Sequence, residues 1–455
     1  MGSAIYIMKK YSTLLLLLSL ALSATFNTAS AEERTMQDIT SIAKKLIGRA
    51  AVTRSIANGK ATPEIKKLTA TKAYTVMGYE DGGFAIIAND DANSPIVGYS
   101  TDNTFTTDNP AFAWYLSNAE IMLNNHIKPA PRPAGGGTAG VPSDCKKKVD
   151  HMVKAKWDQG TPYNAKCPVS TKGGRCLTGC VATAMAQIIH YHRYPAKGVG
   201  TNYTWFEGKK LVLDFSKHTY DYDNMLLPNY GDGYTIANKS AISTLMYDCG
   251  IAADMQYAVD ASGAYLKDAA EGLRDNFDYY AKWYGYKDYP TSDNYDDAKW
   301  REVIYRELSA GNPVLYAGGS YTNSTEGAFH CFVLDGYDER GYVGVNWGWS
   351  GYSDGYFSLD VMNCKSGDKI ENFCNSNDMV IMHPKTQGPI TYDLLSKEEI
   401  AAGIEDINTE NADEAAPQRY YDATGRQIGT GNNINRNHKG LVIVRQGNKV
   451  RKVVR

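Results

Sequence analysis

The first third of the chain alternates between two hydrophobic periods. Apolar residues recur at three- and four-residue steps through 35–58, which is the period of a helix with one buried face. Residues 72–100 instead alternate apolar and polar positions, and the sequence DGG at 81–83 is typical of a hairpin turn. A second helical pattern follows at 110–127. Together these patterns predict a small α+β unit.

A longer unit follows in which helical patterns come before strand patterns. The periodicity predicts helices at 180–193, 236–249, 263–277 and 296–310. The apolar alternating strands come after them, in PVLYAGG, FHCFVLDGYD, GYVGVNWGW and GYFSLD. Helices followed by antiparallel strands are the order of an α+β fold, which is the fold class that we expect.

Segments without periodicity separate these units. Residues 129–143 are rich in proline and glycine and precede three lysines at 146–148, which is typical of an exposed joint where proteolysis concentrates. From composition alone, an ordinary linker that is never cut is the better interpretation. Residues 395–416 are acidic and predict a second linker, and the last 40 residues predict a small β module.

The N-terminus has the pattern of a secretory signal peptide. Lys9 and Lys10 precede an apolar run at 14–22, and the segment ends in the small residues 29–31. We therefore expect export and cleavage after Ala31. The run is too short for a comfortable membrane span, and no other stretch predicts one. The alternative is a buried helix at the start of a cytosolic domain.

Charge gives no indication of an anionic partner. The formal net charge is -2, so we expect neither nucleic acid nor an anionic membrane as a ligand. Hydrophobic residues make up 43% and charged residues 22%, as in ordinary folded proteins.

Cys180 has the sequence setting of a nucleophile. It follows Thr178-Gly179, which interrupts the chain, and a helix with one apolar face begins directly after it. The free N–H groups and the positive dipole end of a helix stabilise a thiolate, and the Cys180 N–H is placed to bind an oxyanion. A buried structural cysteine or a disulfide partner fits the residue alone equally well.

Four further residues have side chains that suit the same chemistry. His330, 150 positions after Cys180, lies on an alternating strand; an imidazole can take the thiol proton and later protonate a leaving amine. Asn346 and Trp347 lie on the next strand, where an amide could orient the imidazole and an indole could shield it. Gln159 offers an amide donor for an oxyanion. Each residue by itself is more often structural.

Four motifs in order resemble one family. The segments are WDQGTPYN, TGCVATAMAQIIHYHRYP, FVLDGYD and VNWGWSGYSDGYF, within 157–360. Together they resemble the streptopain family of papain-like cysteine peptidases, and most closely its interpain-type members, which carry a C-terminal extension. Papain-like enzymes also place their histidine about 130–150 residues after the nucleophile.

The resemblance implies an organisation for the whole chain. We expect a signal peptide at 1–31, an inhibitory α+β propeptide at 32–142 and a papain-like catalytic domain at 143–384, with a helical part and an antiparallel sheet part. An acidic linker and a small β module, similar to secretion-sorting modules, would occupy 385–455. This architecture implies a secreted or cell-surface cysteine endopeptidase made as a zymogen. Its partners would be protein and peptide substrates and its own propeptide, and it would need no cofactor or metal.

The resemblance also implies a role for each candidate residue. Cys180 would be the nucleophile and His330 its base, while Gln159 and the Cys180 N–H would form the oxyanion hole. Asn346 and Trp347 would support His330, and which of the two has the larger part stays open.

The cysteines and the flanks of His330 depart from the family pattern. The family has glycine and alanine beside this histidine, where the chain has Phe329 and Cys331. The simplest members have essentially one cysteine, whereas this chain has eight, at 145, 167, 176, 180, 249, 331, 364 and 374. If Cys180 is catalytic, seven remain and cannot all pair within the chain. The pairs 167/176 and 364/374 are close in sequence, but their pairing stays open.

Three other functions are alternatives to a peptidase. A zinc site would use Cys167, Cys176, Cys180, His190 and His192, but ten residues of helix rise roughly 15 Å between Cys180 and His190, and the CxxC spacing is absent. The same cysteine–histidine pair also serves acyl transferases of the transglutaminase type. An adhesin that binds protein or sugar through its aromatic strands would leave Cys180 unreactive.

Overall fold

The computed structural model describes most of the two predicted units and five short strands after them. The described ranges are 32–125, 140–228, 230–231, 233–287, 297–321, 327–362, 374–390, 419–422, 427–430, 433–434, 441–446 and 449–454. The predicted signal peptide, the acidic segment 395–416 and most of the linker 129–143 lie outside them.

Seven α-helices occur within these ranges. They are α1 (Met36–Ala57), α2 (Pro110–Asn124), α3 (Cys180–His192), α4 (Ile236–Ala252), α5 (Leu266–Asn276), α6 (Asp297–Ala310) and α7 (Leu359–Met362). Local sequence explains their starts: Thr35 and Asp38 form a reciprocal capping box at α1, and the Asn109 side chain caps α2 ahead of Pro110.

The strands form three sheets. The first twelve are β1 (Lys66–Ala70), β2 (Tyr74–Gly78), β3 (Phe84–Ala88), β4 (Ile96–Ser100), β5 (Thr201–Phe206), β6 (Lys209–Asp214), β7 (Tyr279–Lys287), β8 (Val314–Tyr321), β9 (Gly327–Tyr337), β10 (Val343–Asn346), β11 (Gly355–Phe357) and β12 (Cys374–Pro384). The C-terminal module follows with β13 (Arg419–Asp422), β14 (Gln427–Thr430), β15 (Asn433–Ile434), β16 (Leu441–Gln446) and β17 (Lys449–Val454).

One ten-stranded sheet runs through both predicted units. Its order is β1-β2-β3-β4-β11-β10-β9-β8-β12-β7, while β5 and β6 form a separate hairpin and β13–β17 a separate sheet. The join is the antiparallel pair β4–β11, in which Tyr99 lies opposite Tyr356 and Gly98 opposite Phe357. The Tyr99 hydroxyl also donates to Asp338 at 2.9 Å. The segment at 32–125 therefore extends the main sheet rather than standing apart as a separate small unit.

Helix α2 packs its aromatic residues into the core of the main unit. The Phe112 ring centroid lies 5.7 Å from that of Trp347, and the Tyr115 centroid lies 5.1 Å from that of Phe357. These four residues are buried in one cluster. Because aromatic side chains bury large areas, this shared core holds α2 against the strands that follow β8 in the chain.

The predicted helices agree with the structure to within a few residues, and the strands agree less well. The hairpin β5–β6 and the long strands β7 and β12 had no prediction. Strand β12 lies between β8 and β7 and pairs with β7 at nine positions, from Ser376 to Pro384. Long-range pairing of this kind leaves no local sequence signal. Over the described part of the chain, none of the helices has the length and apolar character needed to cross a bilayer.

The close contact at Gly98 tests the join between β4 and β11. A Cβ atom at Gly98 would lie 2.4 Å from Cδ1 of Phe357, whose ring is fixed by Tyr115 and Trp347. We expect Gly98→Ala to lower the free energy of unfolding by about 1–3 kcal/mol, because overpacking strains a filled core. Urea denaturation of full-length protein in a Cys180→Ala background measures this.

Gly263→Ala is the matched control, because a Cβ atom there would meet nothing within 4 Å. Its unfolding free energy should stay within about 0.5 kcal/mol of the parent. Equal stabilities for the two variants would contradict the described packing at the join.

Candidate active site

Cys180 is the first residue of α3, as the sequence predicted. Gly179 caps the helix with φ 87°, and a Cβ atom at that position would lie 2.7 Å from the Met255 sulfur and 3.0 Å from the Ser262 carbonyl oxygen. Glycine is therefore required immediately before the thiol. The rest of α3 is buried from Val181 to His190, which fixes the direction of the helix N-terminus.

The pKa of the Cys180 thiol lies above its ordinary value, which favours the neutral form. Burial raises its pKa, while hydrogen bonding from the backbone N–H groups of Cys331, Val181 and Cys180 itself acts in the opposite direction and is the smaller effect. A buried thiol of raised pKa is a weak nucleophile at neutral pH.

Gln159 lies next to the nucleophile through its backbone. Its carbonyl oxygen accepts a hydrogen bond of 3.1 Å from the Thr178 N–H, two residues before Cys180. Its own N–H donates to Asp158 Oδ1 at 2.6 Å. Within the described residues, its side-chain amide makes no hydrogen bond. The amide is therefore available to a ligand near Cys180, and its role in an oxyanion hole stays a prediction.

Strand β9 carries His330 and Cys331 on opposite faces. In the register with β8, His330 lies opposite Gly318 and Cys331 opposite Ala317. Cys331 belongs to the buried cluster around α3, against which Cys180 packs, whereas Phe332 belongs to the cluster that contains α2. Because side chains alternate along a strand, His330 shares the α2 face with Phe332.

Helix α2 covers the position beside His330. A Cβ atom at Gly318 would lie 2.2 Å from the Trp114 ring, and the Trp114 and Phe332 ring centroids are 6.2 Å apart. Burial lowers the pKa of His330, and the imidazole makes no side-chain hydrogen bond to any described residue. Both shifts favour the neutral forms of the thiol and the imidazole, and the alternation of β9 places His330 on the face opposite to that of Cys331.

The side chains of Asn346 and Trp347 make hydrogen bonds to the backbone rather than to His330. The Asn346 amide donates to the Ala155 carbonyl at 2.7 Å and accepts from the Gly348 N–H at 3.0 Å. The Trp347 indole N–H donates to the Ser353 carbonyl at 3.0 Å, and its ring centroid lies 4.7 Å from that of Phe332. Within the described residues, no hydrogen bond or ring contact joins either side chain to His330, so their supporting roles stay predictions.

Comparisons with known proteins match both predicted units of the chain. Residues 157–357 match the model of the peptidase C10 family, and residues 30–121 match that of the Spi protease inhibitor family. Streptopain of Streptococcus pyogenes is 33% identical over 306 residues, covering 63% of this chain and 74% of the relative. The chain belongs to the peptidase C10 family.

A zymogen fragment and a second protease are also similar to this C10 peptidase. A mutant fragment of Prevotella intermedia prointerpain A has 35% sequence identity and a TM-score of 0.58, covering 70% of this chain and 98% of that one. The thiol protease/hemagglutinin PrtT of Porphyromonas gingivalis is 29% identical over 299 residues, covering 62% of this chain and 33% of the relative.

These findings confirm the predicted family, fold and enzyme class. The chain is a cysteine-type endopeptidase with a papain-like α+β domain, preceded by a propeptide of the kind found in prointerpain. The inhibitor match over the propeptide supports inhibition by this segment.

Two groups beside the candidate residues of this C10 peptidase had no sequence prediction. Asp354 accepts a hydrogen bond of 2.8 Å from the Trp347 N–H, and burial raises the pKa of its carboxyl to about 7. Trp114 covers Gly318 from the propeptide. The sequence around Asp354 indicates only a turn, and the sequence around Trp114 indicates only an apolar helix face. Neither local pattern shows that the residue lies beside Trp347 or Gly318 in the fold.

The six cysteines whose side chains are described are free thiols, at positions 145, 167, 176, 180, 249 and 331. Cys167 and Cys176, whose pairing the sequence left open, are therefore not joined by a disulfide in this structure. The pair 364/374 lies outside the part of the chain whose side chains are described.

The raised thiol pKa predicts slow, pH-dependent labelling of the precursor. Because only the thiolate reacts, the iodoacetamide labelling rate of Cys180 should rise by up to about tenfold per pH unit from pH 7 towards alkaline pH. Measurement by mass mapping of full-length precursor checks this, with Cys180→Ala confirming the labelled peptide.

An assembled thiolate–imidazolium pair would give the opposite profile. Labelling of Cys180 that is already rapid and independent of pH between 6 and 8 would contradict the neutral pair described above.

Proposed function

We propose that this chain is an exported cysteine endopeptidase made as a zymogen, with Cys180 as nucleophile and His330 as general base and acid. The observation that carries the proposal is the position of Cys180 at the N-terminus of α3, a helix that packs against the strand that carries His330. A helix N-terminus stabilises a thiolate, and a neighbouring imidazole can accept its proton.

The reaction proceeds by acyl transfer to the thiol. His330 takes the Cys180 proton, the thiolate attacks the peptide carbonyl, and a tetrahedral oxyanion forms. Donation from the Cys180 N–H and the Gln159 amide stabilises that oxyanion. His330 then protonates the leaving amine, and water attacks the thioester, giving up its proton to the imidazole. The carboxylic acid product leaves, and the free thiol is restored.

The propeptide, residues 32–142, keeps the dyad apart until it is removed. Support comes from α2, whose Trp114 covers the position beside His330, and from β4, which continues the main sheet. Cleavage in the joint at 129–148 would release both elements. The end of β9 that begins at Gly327 then loses the covering helix, and His330 can turn towards Cys180.

The ends of the chain fit an exported precursor. Residues 1–31 have the composition of a signal peptide, residues 143–384 form the catalytic domain, and residues 385–455 contribute an acidic linker and a small module. In support of a separate module, β13–β17 form a sheet of their own. The proposed location is therefore the cell surface or the medium, with peptides and proteins as substrates.

The Cys180→Ala variant tests the nucleophile. Purified full-length variant should neither mature by itself nor cleave a fluorogenic peptide, with a loss of at least about 10⁴-fold in kcat/KM after propeptide removal by an added protease. Gel time courses and peptide hydrolysis measure both effects.

Cys249→Ala is the control, because Cys249 is a free buried thiol of the same core cluster. It should mature and hydrolyse peptide as the parent does. If Cys180→Ala matured at the wild-type rate without added protease, self-cleavage would be wrong; retained peptide hydrolysis would remove Cys180 as nucleophile.

Trp114→Ala tests the inhibitory role of α2. Removing a buried indole from a core typically costs about 3–5 kcal/mol, so α2 should dock more weakly and expose the face with His330. We expect earlier self-maturation of the precursor and faster labelling of Cys180 at neutral pH, both followed by mass spectrometry.

Trp205→Ala provides the matched control, since Trp205 is 58% exposed on β5. It should mature at the parental rate. A Trp114→Ala precursor as slow as both the parent and this control would mean that α2 does not hold the enzyme inactive.

A further inference from the structure

The backbone of Gln159 is held by hydrogen bonds from two sides. On one side its carbonyl oxygen accepts from the Thr178 N–H at 3.1 Å. On the other side its own N–H donates to Asp158 Oδ1 at 2.6 Å. Because an oxyanion donor stabilises charge only from a fixed position, the groups that hold this backbone determine where the side-chain amide can reach.

Thr178 ties the first side to the helix that begins at the nucleophile. The Thr183 hydroxyl donates to the Gly179 carbonyl at 3.0 Å, so the Thr178 hydroxyl is the donor in the 2.9 Å hydrogen bond between the two threonines. Both threonines are buried. The carbonyl side of Gln159 is therefore fixed relative to the first turn of α3.

Asp158 ties the second side to the loop after β10. Its other carboxylate oxygen, Oδ2, accepts a hydrogen bond from the Ser350 hydroxyl, 192 positions away in the chain. The Ser350 N–H donates to the Trp157 carbonyl at 3.0 Å, so the two segments are joined twice. The carboxylate thus bridges the segment of Gln159 and the loop that begins at Trp347.

Both ends of this bridge are anchored by their neighbours. Trp157 is buried, and its indole N–H donates to the Leu226 carbonyl at 2.7 Å. Gly351, which follows Ser350, packs so closely on Lys156 that a Cβ atom there would lie 2.6 Å from the Lys156 Cδ. An acceptor held between two anchored segments can keep a neighbouring amide in one place.

We propose that Asp158 is a positioning residue of the oxyanion hole. Its two hydrogen bonds, to the Gln159 N–H and to the Ser350 hydroxyl, hold the Gln159 side-chain amide towards the oxygen of the attacked peptide carbonyl. The proposal rests on the proposed function, in which that amide donates to the oxyanion. The role needs no contact between Asp158 and the substrate.

The chemistry of the bridge distinguishes two substitutions. Asparagine keeps an acceptor oxygen for the Gln159 N–H, and its amide N–H can donate to the Ser350 hydroxyl oxygen in place of accepting from it. Alanine removes both hydrogen bonds. A role in positioning therefore tolerates Asp158→Asn and does not tolerate Asp158→Ala.

The test uses full-length precursor matured with an added protease and assayed with a fluorogenic peptide. Asp158→Ala should lower kcat by about 10–100-fold and leave KM within about threefold of the parent, because the donor is misaligned for the transition state rather than for substrate binding. Asp158→Asn should keep kcat within about threefold of the parent.

Two further measurements separate positioning from damage to the fold. The double variant Asp158→Ala with Gln159→Ala should be no slower than Gln159→Ala alone, because an absent amide needs no positioning. The iodoacetamide labelling rate of Cys180 in matured Asp158→Ala should stay within about twofold of the parent, because alkylation of a thiol forms no oxyanion.

Asp214→Ala is the matched control. Its Oδ1 accepts from the Ser216 N–H at 3.1 Å and from the Ser216 hydroxyl at 2.6 Å, which are the same two kinds of hydrogen bond at the end of β6. Its kcat should stay within about twofold of the parent.

Four results would overturn the positioning role. They are an unchanged kcat in Asp158→Ala, an Asp158→Asn variant as slow as the alanine variant, losses in kcat that multiply in the double variant, and slowed labelling of Cys180 in Asp158→Ala.

Failure of the proposed function gives different results. A matured parent that hydrolyses no peptide would remove the peptidase assignment itself. A Gln159→Ala variant as fast as an active parent would remove Gln159 from the oxyanion hole, and the role of Asp158 with it, while leaving the nucleophile in place.

Discussion

The backbone pairing of β4 with β11 is the constraint on which the proposed inactive form depends. It joins the propeptide to the catalytic sheet through Tyr99 opposite Tyr356 and Gly98 opposite Phe357. A paired edge fixes both position and direction of the incoming element. Helix α2, which follows β4, buries its aromatic face in the core that contains Phe332 and Trp347.

Burial then determines the chemistry of the site. With His330 on the α2 face, neither member of the proposed dyad has the other as a charge partner, and desolvation raises the thiol pKa and lowers the imidazole pKa. Both shifts favour the neutral forms. Bringing the two groups together would reverse the balance, because each ion would stabilise the other. The same residues can therefore be inert or reactive, depending on which face of β9 carries the imidazole.

The sequence predicted the elements of the site better than their arrangement. Cys180 at a helix start and His330 on a strand were accessible because both follow from local periodicity and from a glycine before the thiol. The face of β9 that His330 occupies could not be predicted from the sequence. The alternation of side chains along a strand defines two opposite faces, but it does not say which of them meets α3. Asn346 shows the same limit: its amide bonds to Ala155, a partner 191 positions away. Strands β7 and β12, which pair only over long range, were missed for that reason.

The central claim is that propeptide docking decides which side of β9 carries His330. Determining the structure of Cys180→Ala protein before and after an added protease removes the propeptide tests it most directly. The account predicts that the imidazole moves to the α3 face, bringing a ring nitrogen to roughly 3–4 Å from where the Cys180 sulfur would lie. An imidazole still on the opposite face in the fully cleaved protein would contradict it.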